Sequence, residues 1–233
     1  MTAQVGFRRG LWDGISLVVG YFSIALSFGL LAVRLGFSPL EAQMVSAVVY
    51  AGASQFALVS LLAVGASAWS VAGVVVAMNL RHLFYGPALL SRMPADGPRL
   101  PRPLLAFGMT DEVFALASAS LARAHGDRWL FGVQMAAYGA WLAGTAAGAF
   151  ASRWDVARLP AVDAALAFVL PALFLALLLP MLTRRHVLSL VVAGGTALML
   201  AGWLPGHVIM LVAMVAGAAV AALRPQGGGD DAD

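Results

Sequence analysis

Long apolar runs alternate with short polar breaks along the whole chain. The runs lie at about residues 11–35, 41–64, 69–91, 104–122, 129–150, 162–182, 187–204 and 207–223. Each is near the ~20 residues a helix needs to cross a ~30 Å hydrocarbon core. A transmembrane β-barrel would show shorter segments alternating apolar and polar side chains, and that alternation is absent. The pattern predicts an all-α fold, a polytopic transmembrane helical bundle of about seven or eight helices. The count is open by one because only Pro205-Gly206 parts the last two runs, which read as a hairpin or as one kinked unit.

The breaks organise the chain further. Residues 92–103 hold four prolines and three arginines, the firmest boundary in the sequence. Residues 151–161 mix Trp154 with Arg153, Asp155 and Arg158 and read as interfacial. Arg8 and Arg9 precede an apolar stretch longer than the core of a signal peptide, so it is expected to be a retained first helix. The expected organisation is one transmembrane transporter domain over residues 1–224 and a Gly-rich, polar, disordered tail over 225–233.

Composition sharpens this picture. Hydrophobic residues make up 61% of the 233 and charged residues 11%, where a soluble domain is about a quarter charged. The formal net charge is +3, yet the basic residues are spread among the inter-helix loops, which argues against a nucleic-acid partner. With eight crossings, seven loop arginines fall on one side and six on the other, too even a split to orient the bundle. Cysteine is absent, which excludes disulfides and thiol chemistry. No zinc-protease helix, phosphate-binding loop or serine-nucleophile elbow occurs, so neither an enzyme nor a metal or cofactor site is expected.

Polar residues at membrane depth carry the candidate chemistry. The second run contains YAGASQFA, Tyr50–Ala57. Its small residues Gly52, Ala53 and Ser54 permit close helix packing or a local unwinding beside Gln55 that exposes backbone groups to a ligand. The third contains NLRHLFYG, Asn79–Gly86, followed by Pro87, with Arg81 and His82 near its middle. Burying an arginine there costs about 2.5–3.5 kcal/mol on insertion scales. Gly86 and Pro87 are candidates for a helix break or a packing contact. The fourth run carries Thr110-Asp111-Glu112. Measured from the face that both runs share, Arg81 lies about 15 Å deep and Asp111 about 10 Å.

Two acids and an arginine at similar depth form a compensated polar centre. One reading has Arg81 attract a carboxylate while Asp111 or Glu112 attracts an ammonium, as a zwitterionic aliphatic amino acid requires. The same acids, or His82, would serve equally for a coupling proton. The plainer alternative is that Arg81 pairs with Asp111 and pins two helices. His125, His186 and His207 read as loop residues, Asp13 as an interface marker, and Glu41 and Asp163 as acids at helix starts. A faint echo spaces Gly20-Tyr21 from Tyr50 much as Tyr138-Gly139 is spaced from Phe168. Transporters often carry such repeats, inverted or parallel.

At these segments the sequence resembles the AzlC family, the larger subunit of branched-chain amino acid exporters. YAGASQFA at Tyr50–Ala57, NLRHLFYG at Asn79–Gly86 and TDEVFAL at Thr110–Leu116 carry the resemblance in order. GYFSIALSFG at Gly20–Gly29 and LPALFLALLLP at Leu170–Pro180 add to it. Ser23 departs from the pattern, which has proline in the first helix. The resemblance implies a multi-pass permease of the bacterial cytoplasmic membrane and a small AzlD-like membrane subunit as partner. It implies a substrate or proton path through Ser54, Gln55, Asn79, Arg81, His82, Asp111 and Glu112. A channel with the same residues lining a pore, and a non-transporting membrane scaffold, are the competing readings.

Overall fold

A computed structural model describes residues 6–90, 100–120, 126–154, 159–162, 187–204 and 206–223, with isolated positions between 164 and 175. The predicted span 162–182, the loop 92–99, His125, Asp163, His186 and the tail 225–233 lie largely or wholly outside them. Among the described residues the regular structure is entirely helical. Large apolar side chains, including Trp69, Val64 and Trp203, face outward, as a bundle with lipid for its solvent requires.

The first span is a short α1 (Phe7–Asp13) leading through Gly14 into α2 (Ile15–Arg34). Gly14 keeps helical dihedrals and its N–H bonds the Gly10 carbonyl, so the path barely deviates. Among the described residues α2 is the helix that is both long and apolar enough to cross a membrane unbroken. It passes through Ser23 without interruption, the hydroxyl donating back to the Val19 carbonyl at 2.9 Å. The fifth predicted span forms a helix too, α9 (Asp127–Ala151).

These two elements pack on each other along their length, and glycine is the reason. A Cβ at Gly10 would meet the backbone of Trp129 and Gly132, and one at Gly14 would meet Val133 and Ala136. One at Gly144 or Gly148 would strike the carbonyls of Phe22 and Leu26, and one at Gly29 that of Thr145. Backbones approach this closely only where side chains are missing, as in small-residue membrane interfaces. Residue numbers rise together along both helices, so they run parallel.

The next three predicted spans are each split near the middle. The second becomes α3 (Pro39–Val49) and α4 (Gly52–Ala63), the third α5 (Ala68–Asn79) and α6 (His82–Leu90), the fourth α7 (Arg102–Phe107) and α8 (Asp111–Ser120). The local unwinding open to the second span is found there, and the third and fourth, read as single runs, are divided as well. Ser38 and Glu41 form a reciprocal capping box that starts α3, with Pro39 in its first turn. At its other end Tyr50 is left-handed, φ 32° and ψ 49°, a costly conformation for a bulky residue, and α3 stops.

The last two runs are separate helices, α10 (Val187–Leu200) and α11 (Gly206–Leu223), packed against each other. Gly202 takes φ +89° in the connection between them, which selects the hairpin over the kinked unit. The pair touches the rest of the described protein through α5.

Candidate functional site

The three interruptions converge on one cavity. It is lined at the first by Tyr50, Ala51, Gly52, Ala53 and Ser54, and at the second by Met78, Asn79, Arg81 and His82. Thr110, Asp111 and Glu112 come from the third. Tyr21 and Ile24 of α2 and Trp141 of α9 complete the wall. Helix ends leave backbone N–H and C=O groups without intrahelical partners, so three breaks concentrate polarity at one place inside an apolar bundle.

Each break uses local side chains differently. At the end of α5 the chain tightens, with Leu83 and Phe84 N–H groups reaching back three residues to the Leu80 and Arg81 carbonyls. A ring nitrogen of His82 bonds the Asn79 carbonyl at 3.0 Å, satisfying an acceptor that the helix end would orphan. The Asn79 amide donates to the Val75 carbonyl and to the Ser54 hydroxyl, at 2.9 and 3.0 Å, tying α5 to α4. Thr110 starts α8, its hydroxyl accepting from the Val113 N–H at 3.4 Å. Asp111 and Glu112 follow in the first turn, where carboxylates oppose the helix dipole.

The charges then sort themselves. Arg81 pairs with Asp111 at 2.6 Å, both side chains partly accessible. Tyr85 donates to the other Asp111 oxygen. Glu112 accepts from the Tyr21 hydroxyl at 2.6 Å, and that hydroxyl oxygen also bonds the Thr110 hydroxyl at 2.5 Å. No cation pairs with Glu112 among the described residues. Among the described residues the cavity therefore sets one guanidinium against two acidic side chains, and Glu112 is the one without a cation.

Of the residues expected on a path, Ser54, Asn79, Arg81, His82, Asp111 and Glu112 line this cavity together. Gln55 does not. It is fully buried behind the wall, donating to Ser46 at 3.4 Å and accepting from the Trp141 indole at 3.3 Å. Ser46 in turn meets Thr145 at 2.6 Å, so Gln55 belongs to a polar tie between α3, α4 and α9. Gly52 opens α4 at the first break. Gly86 and Pro87 sit inside α6 and line a second, apolar cavity with Leu89, Leu105 and Leu130. The third span breaks at Leu80-Arg81 instead.

A family comparison settles what kind of chain carries this cavity. The AzlC protein model matches residues 16–154, from α2 to just past the end of α9. The chain belongs to the AzlC family. It is 43% identical over 190 residues to inner membrane protein YgaZ of Escherichia coli, covering 80% of this chain and 78% of that one. Identity to a membrane protein of Archaeoglobus fulgidus is 40% over 198 residues, 85% and 86% of the two chains. It is 26% over 188 residues to the Bacillus subtilis protein named branched-chain amino acid transport protein AzlC, 79% and 72% of the two. No solved structure matches significantly.

All three broken spans lie inside the AzlC match, and so do residues that sequence reasoning passed over. Tyr21 and Tyr50 appeared only within quoted segments and an echo, and Tyr85 and Trp141 had no assigned part. Yet the chain has only 4 tyrosines, and all of them gather here. Tyr138 stacks edge-on against Tyr50 with ring centroids 4.8 Å apart. Scarce hydroxyl-bearing rings in otherwise apolar spans were the signal that could have found them. Asp13 was also underestimated: it accepts from the Trp129 indole at 2.8 Å and joins α1 to α9.

Proposed function

We propose that this AzlC-family chain is the large subunit of a secondary transporter that exports branched-chain or other hydrophobic amino acids. It works in the bacterial cytoplasmic membrane beside a small AzlD-like subunit, and residues 1–224 form its single transport domain. The observation that carries this reading is the meeting of three broken helices around a cavity that joins an unpaired carboxylate, an ion pair and aromatic walls. Discontinuous helices at the binding site are how secondary transporters present backbone groups to a solute inside the bilayer. The name of the Bacillus subtilis relative supports the substrate class.

Glu112 then supplies attraction for an ammonium or a place for a coupling proton, and Ile24, Met78 and Trp141 offer apolar contact to an aliphatic side chain. The Arg81–Asp111 pair spans the second and third breaks, so opening it would let the two breaks separate. Ser54, Asn79 and His82 hold the first two breaks in place. A scaffold has no use for an uncompensated carboxylate at this depth, which is costly unless it binds something.

Radiolabelled valine efflux tests the reading in cells producing this chain with its small membrane partner. Saturable efflux is expected, with loss in Asp111→Asn and Arg81→Gln at unchanged membrane levels. Efflux that both substitutions leave intact overturns the assigned site, and flux that never saturates indicates a channel.

A further inference from the structure

The Arg81–Asp111 pair raises a question about the substrate's carboxylate, because the arginine expected to receive it is already engaged. A second anion-attracting group lines the same cavity. The first turn of α4 runs along its wall from Ala51 to Ser54. Ala51 occupies the N-cap position with an extended backbone and offers no side-chain oxygen. The first turn of α4 holds no acid, whereas α8 carries Asp111 and Glu112 at the equivalent place. The Gln55 N–H is satisfied by the Ala51 carbonyl at 2.9 Å. The N–H groups of Gly52, Ala53 and Ser54 precede it and have no partner within the helix.

An independent observation points to a ligand at this end. Tyr50, immediately before the turn, is 4% exposed and lines the cavity. Its hydroxyl is buried and bonds to nothing among the described residues. Tyr21 and Tyr85 in the same region each donate to a carboxylate. A buried hydroxyl left unbonded carries an uncompensated desolvation cost, and a visiting acceptor would remove it. An unpaired tyrosine donor beside an uncapped helix start forms a site for an anion.

We propose that the Tyr50 hydroxyl and the free N–H groups of the α4 first turn bind the substrate's carboxylate, while Glu112 binds its ammonium. This rests on the amino-acid reading above and divides the site by charge. The arrangement places the anionic end against the break in the second span and the cationic end against the break in the fourth. Arg81 and Asp111 neutralise each other between them, and neither is the anchor for the zwitterion.

Equilibrium binding to the purified full chain in liposomes tests this, with tritiated valine as probe. Valinamide, which lacks the carboxylate, and isovalerate, which lacks the ammonium, serve as competitors. Tyr50→Phe is expected to weaken valine and isovalerate by about tenfold or more, with the weak competition by valinamide unchanged. Glu112→Gln is expected to weaken valine and valinamide and to spare isovalerate. Valine binding unaltered by Tyr50→Phe overturns the proposal, as does an equal loss of valine and valinamide. If Tyr50→Phe does not fold, wild-type selectivity decides, since equal binding of valine and valinamide excludes a carboxylate subsite. A wild-type chain that binds no valine at all removes the amino-acid reading itself, and this proposal with it.

Discussion

Two halves of this bundle solve opposite problems with the same kind of sequence. The α1–α2 and α9 helices are long, and they meet through glycines whose neighbours are backbone atoms. The segment from α3 to α8 is built from six shorter helices whose ends meet at the polar cavity. Both halves derive from runs that look alike in hydropathy. The frame keeps its backbone bonded along long helices, whereas the broken half exposes backbone and side-chain donors. The proposed site lies where helical hydrogen bonding is interrupted, with the long pair standing behind it.

The largest effect is expected from adding one methyl group to the frame. At Gly148→Ala the Cβ would fall on the Leu26 carbonyl, with the Leu30 N–H close behind. Neither obstacle can rotate away, since both are main chain. The helices must separate, which places the cost at or above the upper end of the ~1–3 kcal/mol typical of overpacking. Thermal unfolding in detergent should show a clear fall in midpoint with reduced membrane yield. An unchanged midpoint would mean that the pair is not the rigid frame.

A smaller and more discriminating effect comes from two polar residues of similar appearance on either side of the cavity wall. Gln55→Leu deletes the acceptor of the Trp141 indole and a donor to Ser46. Stranding a buried donor costs roughly 1–3 kcal/mol, so the unfolding midpoint should drop while the valine KM stays the same. Glu112→Gln should do the reverse. It keeps an acceptor for Tyr21 and the shape of the side chain, so the midpoint should hardly move, but valine transport should fall by about tenfold or more. Transport assays beside melting curves check the pair. A KM shift from Gln55→Leu would bring that residue into the site.

The same residues show what hydropathy could and could not reveal. The spans were legible because a run of apolar residues has one meaning in a bilayer. Arg81, Asp111 and Glu112 were legible as a centre because charge at depth needs a reason. The breaks were legible only in part. The unwinding that Gly52, Ala53 and Ser54 permit is found where α4 opens, but Pro87, equally helix-weakening, lies inside α6. The break in the third span falls at Leu80-Arg81, where no residue weakens a helix and a His82 ring and an Asn79 amide hold the ends instead. Gln55 and Asn79 were indistinguishable as polar side chains in apolar runs. Which one reaches the cavity depends on helix rotation, which a run of alanine, leucine and valine does not encode.

The smallest effect is expected at a glycine that resembles those of the frame. Gly108 lies between α7 and α8, and a Cβ there would come within 2.6 Å of the Gln134 Cδ and 2.8 Å of its Cγ and Oε1. Those distances are tight, but the obstacle is a side chain and not a main chain. Gln134 keeps one firm bond, from its amide to the Leu105 carbonyl at 2.7 Å, while its Oε1 bonds nothing among the described residues. The side chain must swing by the better part of an ångström to reach ordinary contact, but its Oε1 has no partner to lose in doing so. Gly108 also sits at φ −79° and ψ 4°, which alanine adopts without strain. Gly108→Ala should cost less than about 1 kcal/mol, with an unfolding midpoint close to wild type and valine efflux retained. A fall as large as that of Gly148→Ala would show that the break between α7 and α8 is packed as tightly as the frame, and the division between a rigid pair and a yielding half would fail at the position where it predicts the greatest tolerance.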